Sequence, residues 1–126
     1  VEFTGIIDVK EYIGRMDFLI LTSISEGQPL TILEGYAAKL PAIATDVGNC
    51  RGLLYGEDDD FGEAGILTHI MNVKEIADAM VNLARHPVRR KQMGENGYRR
   101  VMAKYKISDM HQTYRKIYET FENIDW

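Results

Sequence analysis

The chain has few of the residues that mark disulfide-linked, membrane-spanning or nucleic-acid-binding proteins. It has one cysteine, Cys50, so a disulfide framework is excluded and a reducing compartment is expected. No apolar run approaches the roughly 20 residues that cross a bilayer. A net charge of −4 is unlike that of a general nucleic-acid-binding protein, which is usually basic. The chain also lacks an initial methionine and begins at Val1, so we expect it to be a fragment.

The composition that remains is that of one ordinary globular domain, residues 1–126, with 45% apolar and 27% charged residues. Its charge is unevenly distributed. Residues 85–106 contain eight Lys or Arg and one Glu, a local charge of +7, which leaves −11 on the rest. A basic stretch of this kind suits an anionic membrane face, although a solvated helix face is more common. We expect a cytoplasmic protein, with peripheral contact at the inner face of the membrane as an alternative.

Short apolar runs alternate with helical patterns, which indicates a parallel sheet of the α/β class. The predicted strands are residues 2–4, 18–21, 42–44 and 65–67. The predicted helices are residues 9–15, 30–39, 73–85, 88–105 and 108–123, with a short helical turn at 50–55. Asn72 and Ser108 are candidate N-caps, and His86-Pro87 ends a helix. The last helix has an apolar face that predicts docking, formed by Met110, Tyr114, Ile117, Tyr118 and Phe121.

The segment between residues 22 and 48 carries the strongest functional pattern. A buried strand leads into a turn at residues 26–29, and Pro29 suits the first position of the helix that follows because that position needs no amide donor. The first amides of a helix lack intrahelical partners and attract anions. Ligands of open α/β sheets bind at the carboxyl ends of the strands, where this turn lies. The sequence therefore predicts a phosphate-bearing ligand flanked by Glu26 and Glu34.

These two glutamates, eight residues apart, resemble the E-x7-E signature of the group-1 retaining glycosyltransferases. The likeness extends over nearly the whole chain, from the strand pattern at residues 1–5 to the closing helices at 90–105 and 114–118. More narrowly, Asp46-Val-Gly-Asn-Cys-Arg51 and the pattern from Met110 to Tyr118 resemble the glycosyltransferase of Pel exopolysaccharide synthesis.

The resemblance implies a partial Rossmann-like parallel sheet, the second domain of a GT-B fold with its first strands missing, followed by C-terminal helices. It implies transfer of a hexose, with retention, from a nucleotide diphosphate sugar to a glycan in polysaccharide biosynthesis, with a UDP-sugar as the expected donor. No metal and no cofactor are implied. The implied site places catalytic Glu26 at the sugar and Glu34 at the ribose, with Gly27, Gln28, Leu30 and Thr31 near the diphosphate.

Two parts of such an enzyme are missing from these residues. The acceptor-binding N-terminal domain and an upstream basic pair that neutralises the leaving diphosphate have no counterpart, so we expect the fragment alone to be inactive. The strands of a Rossmann-like domain follow the order 3-2-1-4-5-6 across the sheet, and we expect this fragment to retain only strands 3, 4, 5 and 6. The exposed apolar edge predicts self-association of the fragment or a rearranged first strand.

Other interpretations remain open. The chain could be a non-catalytic α/β assembly module of a synthase complex, or an epimerase or phosphorylase relative on the same fold. A phosphorylase would need a lysine near Glu26 to hold pyridoxal phosphate, and none is present there. The acidic run at residues 57–60 fits a solvated loop better than a metal site, because four consecutive acids cannot converge. The segments at residues 46–48 and 5–8 are candidates to line the crevice and to hold the base.

Overall fold

The computed structural model describes residues 1–122. Within them the chain forms three β-strands and six α-helices. The strands are β1 (Leu19–Leu21), β2 (Ala42–Thr45) and β3 (Gly65–Thr68). The helices are α1 (Val9–Tyr12), α2 (Leu30–Ala37), α3 (Cys50–Tyr55), α4 (Val73–Arg85), α5 (Pro87–Lys104) and α6 (Ile107–Glu122), with a 3-10 turn over Ile13–Arg15 after α1. The predicted end of the last helix at residue 123 lies outside the described residues.

The three strands form one parallel sheet in the order β1-β2-β3. Leu19 lies opposite Ala42, and Thr45 lies opposite Thr68. Helices connect the strands, so the carboxyl ends of all three meet at one edge of the sheet. The prediction of an α/β fold with a partial Rossmann-like sheet is confirmed.

The central strand β2 is buried on both faces because helices cover the sheet from both sides. One face of β2 packs into a cluster that includes Ile32 and Tyr36 of α2 and Leu53 of α3. The other face, at Ile43, packs against residues of α4 and α5. This two-sided core fixes the position of the loops at the carboxyl edge.

Helix α5 packs closely against α2 and the residues that follow it because two glycines of α5 lie at the contact. A Cβ atom added at Gly97 would lie 2.5 Å from the ring of Tyr36. One added at Gly94 would lie 2.0 Å from the carbonyl oxygen of Lys39. Both distances are well below van der Waals contact, so any side chain at these positions would push α5 away from α2 and from the turn after it.

A buried ion pair ties α5 to the loop after α3. The side chains of Arg100 and Asp59 are 1% and 4% exposed, and two guanidinium nitrogens donate to the two carboxylate oxygens at 2.9 Å. Arg100 also donates to the carbonyl oxygens of Leu53 and Gly62 at 2.9 and 2.7 Å. Hydrogen bonds from Arg100 hold the pKa of Asp59 well below its ordinary value.

The prediction of a strand at residues 2–4 is wrong. These residues have no regular structure and are exposed, with Phe3 94% accessible. A strand needs a hydrogen-bonded neighbour, and within residues 1–122 no strand pairs with the outer edge of β1. The self-association expected from that open edge stays a prediction.

The last helix forms as predicted, but it does not dock on residues 1–122. Every residue of α6 from 107 to 121 is exposed, including the five apolar side chains of its predicted docking face. Amphipathic spacing predicts the helix, whereas docking also needs a second surface, which residues 1–122 do not provide. No helix in this part of the chain is both long enough and apolar enough to span a membrane.

The predicted helix ends are partly confirmed. Asn72 caps α4, accepting from the amide of Glu75 at 3.1 Å, and Pro87 opens α5 as its first residue. Ser108 is not a cap, because it lies inside α6, where its hydroxyl donates to Asp109. Helix α2 ends at residue 37 rather than 39, since Lys39 adopts a positive φ of 62° that terminates the helix.

Candidate functional site

The six residues of the predicted site lie on the turn after β1 and on the first turns of α2, at the carboxyl edge of the sheet. The turn residues are Glu26, Gly27 and Gln28, and the helix residues are Leu30, Thr31 and Glu34. Parallel α/β sheets bind their ligands outside this edge. The chain therefore places the predicted residues where the fold accommodates a ligand.

The carboxylate of Glu26 is held by its own turn. The hydroxyl of Ser23 donates to Oε1 of Glu26 at 2.6 Å. The Ser23 carbonyl in turn accepts a hydrogen bond from the side chain of Thr45, at the end of β2. Glu26 itself is half-buried. Its position is thus set by the neighbouring strand as well as by local sequence.

The loop after β2 packs directly against the turn. The amide of Asn49 donates to the carbonyl of Gly27 at 3.0 Å, and the Asn49 side chain donates to Oε1 of Gln28 at 2.8 Å. Gly48 has a φ of +50°, and a Cβ atom there would lie 2.1 Å from the carbonyl oxygen of Glu26. The candidate segment at residues 46–48 and the adjacent Asn49 therefore pack against the turn at residues 26–28.

The start of α2 offers backbone amides without a side-chain partner. Pro29 is the N-cap residue, one position before the helix rather than its first residue, and it is extended, with φ −72° and ψ 104°. Among residues 1–122 no side chain caps this end of α2. Leu30 and Thr31 are exposed there. Uncapped amides and the helix dipole together make this end favourable for an anion.

Glu34 lies one turn inside α2 and is exposed. Residues four apart share one face of a helix, so Glu34 lies above Leu30 on the surface. Side chains of helices lean toward the N-terminus, which carries the Glu34 carboxylate toward the uncapped amides. The second glutamate is therefore placed beside the anion-favouring end rather than away from it.

The family model for glycosyl transferases group 1 matches residues 1–86, which include the whole of this site. The chain belongs to the group 1 glycosyl transferases. An uncharacterized glycosyltransferase of Methanocaldococcus jannaschii is 32% identical over 112 residues, covering 89% of this chain and 30% of that protein. The N-acetyl-alpha-D-glucosaminyl L-malate synthase of Bacillus anthracis is 25% identical over 111 residues, covering 88% of this chain and 28% of that protein.

The fold agrees with the family. The structure of sucrose-phosphate synthase from Thermosynechococcus elongatus superposes with a TM-score of 0.80 at 25% identity, covering 94% of this chain and 30% of that one. The sheet and its helices are thus part of a Rossmann-like domain of the GT-B type. The chain spans about 30% of the length of each of these three relatives.

Two further candidates from the sequence, the acidic run and the segment at residues 5–8, contain side chains that make contacts within the fold. Asp59, in the acidic run, pairs with Arg100 and Lys104, in a loop that leads toward the amino end of β3. Asp8 caps α1 by accepting from the amide of Lys10 at 3.0 Å. The described part of the chain contains no group of three or more metal-ligating side chains.

Much of the basic stretch is engaged within the fold. Four of its eight cations pair with acids, namely Arg89 with Glu63, Arg90 with Asp17, and Arg100 and Lys104 with Asp59. Arg99 lies over the ring of Phe61, 5.0 Å from its centroid. These partners reduce the positive charge that the stretch could present to an anionic membrane.

A groove of about 720 Å³ lies at the opposite edge of the sheet. It is bounded by Glu63 before β3 and by the junction of α4 and α5 around Pro87. Residues before a strand and after its return helix lie at the amino edge, so this groove is separate from the site.

The supporting residues were not identified from the sequence. Ser23, Thr45 and Asn49 lie in the resembling segment, but their importance comes from contacts that join the ends of β1 and β2. The available signal was the polar character of Thr45 at the end of an otherwise apolar strand. Cys50, the one cysteine of the chain, is fully buried, and burial raises the pKa of its thiol.

Proposed function

We propose that this chain is the donor-binding part of a retaining glycosyltransferase. It would act on a nucleotide diphosphate sugar, with UDP as the nucleotide, and move a hexose to a glycan in polysaccharide biosynthesis. The observation that carries the proposal is the uncapped start of α2 at the carboxyl edge of the sheet, with one glutamate before it and another one turn inside it. Family membership supports the class of reaction.

Each part of the site has a chemical task in this proposal. The amides of Leu30 and Thr31 bind the diphosphate, since an uncapped helix start favours anions. Glu34 accepts hydrogen bonds from the 2′ and 3′ hydroxyls of the ribose, because one carboxylate can accept from two donors. Glu26 contacts the sugar and stabilises the positive charge that develops at the reacting carbon.

The acceptor belongs outside these residues in this proposal. One relative is named as a glucosaminyl malate synthase and another as a sucrose-phosphate synthase, so the named products differ. Both match this chain over about 30% or less of their own length. The part that these two enzymes share with this chain does not follow the difference between their products. A donor site explains such a shared part better than an acceptor site does. The glycan and the polysaccharide pathway rest on the resemblance of residues 46–51 to the Pel enzyme.

Calorimetric titration of the full chain, as the organism makes it, with UDP, GDP and ADP tests the proposal. We expect UDP to bind selectively and Glu34→Gln to weaken binding about 5- to 150-fold, because one of the two carboxylate acceptors becomes an amide donor and the negative charge is lost. Asp60→Asn, which removes one exposed charge away from the site, is the matched control and should bind like wild type. Equal binding by Glu34→Gln and wild type would contradict the ribose role.

A non-catalytic assembly module is the second candidate, and the exposed apolar face of α6 favours it. Tyr114 and Tyr118 on that face are 54% and 66% exposed. Exposed apolar faces of this kind commonly mark contact surfaces. The same titration separates the two functions, because an assembly module would bind none of the three nucleotides.

A further inference from the structure

The side chain of Glu26 has a fixed arrangement that its assignment to the sugar does not explain. Its Oε1 atom accepts a hydrogen bond from the hydroxyl of Ser23 at 2.6 Å, at the short end of the range for O–H···O bonds. No other residue among 1–122 is hydrogen-bonded to this carboxylate. One oxygen is thus occupied by the protein and the other is left for a ligand.

Ser23 is itself held by the adjacent strand. Pairing between β1 and β2 ends at Leu21 and Ala44. The side chain of Thr45 then donates to the Ser23 carbonyl, so the attachment continues two residues beyond the end of β1. Thr45 is 1% exposed and is the last residue of the buried central strand, which makes it a rigid support.

We propose that Ser23 is a positioning residue for Glu26 and that Thr45 holds Ser23 in place. The proposal rests on the proposed function, in which the Glu26 carboxylate faces the sugar at the reacting carbon. A glutamate side chain on a turn has several rotamers, and only those that aim the carboxylate at the developing charge stabilise it. The Ser23 hydroxyl selects one rotamer before the donor binds. The two hydrogen bonds, from Thr45 to Ser23 and from Ser23 to Glu26, therefore transmit the rigidity of the sheet to the carboxylate.

The same hydrogen bond has a purely local explanation, in which Ser23 stabilises the turn and nothing more. The two explanations differ in what they predict. A turn stabiliser affects folding, nucleotide binding and turnover together. A positioning residue affects turnover while the amides of α2 and Glu34 continue to bind the nucleotide.

The test uses the full chain as the organism makes it, with UDP-glucose, UDP-N-acetylglucosamine, GDP-mannose and ADP-glucose as donors. The measured quantities are kcat and KM for the donor turned over fastest, the Kd of the released nucleotide, and Tm. The variants are Ser23→Ala, Ser23→Thr, Thr45→Val and Glu26→Gln. Ser23→Thr keeps the hydroxyl, and Thr45→Val keeps the shape of the threonine but removes its hydroxyl.

We expect Ser23→Ala to lower kcat about 10- to 100-fold, the size of effect that misplacement of a reacting group produces. Nucleotide Kd should stay within about twofold. Ser23→Thr should restore most of kcat, and Thr45→Val should lower kcat in the same direction as Ser23→Ala. This pattern supports positioning, because a turn stabiliser would not separate kcat from nucleotide affinity.

Three results would overturn the inference. The first is an unchanged kcat in Ser23→Ala together with a lowered kcat in Glu26→Gln. That result would leave the proposed role of Glu26 intact and remove the role of Ser23. The second is a parallel loss of Tm, nucleotide affinity and kcat in Ser23→Ala that Ser23→Thr does not restore. The third is unchanged kcat in Glu26→Gln, which removes the proposed role of Glu26 and this inference with it.

Discussion

Replacement of Gly48 by alanine tests how the site is built. Gly48 has a φ of +50°, and its backbone lies against the carbonyl groups of Glu26 and Gly27. A non-glycine residue in this conformation costs about 1–2 kcal/mol. The new Cβ would lie 2.1 Å from the Glu26 carbonyl oxygen, whereas carbon and oxygen approach to about 3.3 Å, so the turn must move by roughly 1 Å.

The loss of stability follows from these two terms. Overpacking adds about 1–3 kcal/mol to the backbone term of about 1–2 kcal/mol, so we expect a total loss of about 2–5 kcal/mol. For a domain of this size the corresponding fall in Tm is roughly 10 °C. Gly14→Ala is the matched control, because Gly14 has no positive φ and a Cβ there would meet no atom within 4 Å.

Hydrogen exchange adds a local readout to the thermal measurement. The Asn49 amide donates to the Gly27 carbonyl at 3.0 Å, so its exchange should accelerate in Gly48→Ala and not in Gly14→Ala. Wild-type Tm together with wild-type exchange at Asn49 in Gly48→Ala would refute the reasoning. Such a result would mean that the loop after β2 does not support the turn.

Three further predictions concern buried groups. Asp59→Asn leaves Arg100 without its buried counter-charge, so it should lower the free energy of unfolding by about 3–5 kcal/mol in urea titrations. The control is Asp60→Asn, at an exposed neighbouring residue, which should change the free energy of unfolding by less than about 0.5 kcal/mol. Pairing lowers the folded pKa of Asp59 below its ordinary value of 3.8, so its contribution is complete at neutral pH and is lost as pH falls through 3.8 toward the folded pKa. Wild-type stability should therefore decline in acid more steeply than that of Asp59→Asn, and equal slopes would exclude this linkage. Cys50 is fully buried, and burial raises the pKa of its thiol. Its alkylation by iodoacetamide at pH 7.5 should therefore be on the order of 100-fold slower in the folded protein than in the protein unfolded by urea. Comparable rates would show that the thiol is accessible in the folded protein.

Local sequence patterns predict the elements of this fold well where packing agrees with them. Residues 42–44 read as a buried strand and form the centre of the sheet, because helices cover both its faces. Residues 2–4 also read as a strand, but backbone hydrogen bonds need a neighbour, and β1 has none on that side within the described residues. The apolar face of α6 is a similar case, since spacing defines a face without defining what contacts it.

The site divides in the same way. The helix start between Glu26 and Glu34 could be predicted because it is a local feature of the sequence, and the roles of the two glutamates stay predictions. Ser23 and Thr45 could not, because the contact between them exists only when β1 and β2 are paired side by side. The buried pair of Arg100 and Asp59 joins residues 41 apart, so the sequence shows an acidic run and a basic stretch but not their connection.

The central claim is that a nucleotide diphosphate binds at the carboxyl edge of the sheet, over the start of α2. NMR titration of the isotope-labelled full chain with UDP tests it most directly, because each backbone amide reports separately. The account predicts the largest shifts at the amides of Leu30 and Thr31, with little change around the groove at Pro87 and Asn96. Shifts concentrated at that groove, or none at the start of α2, would contradict it.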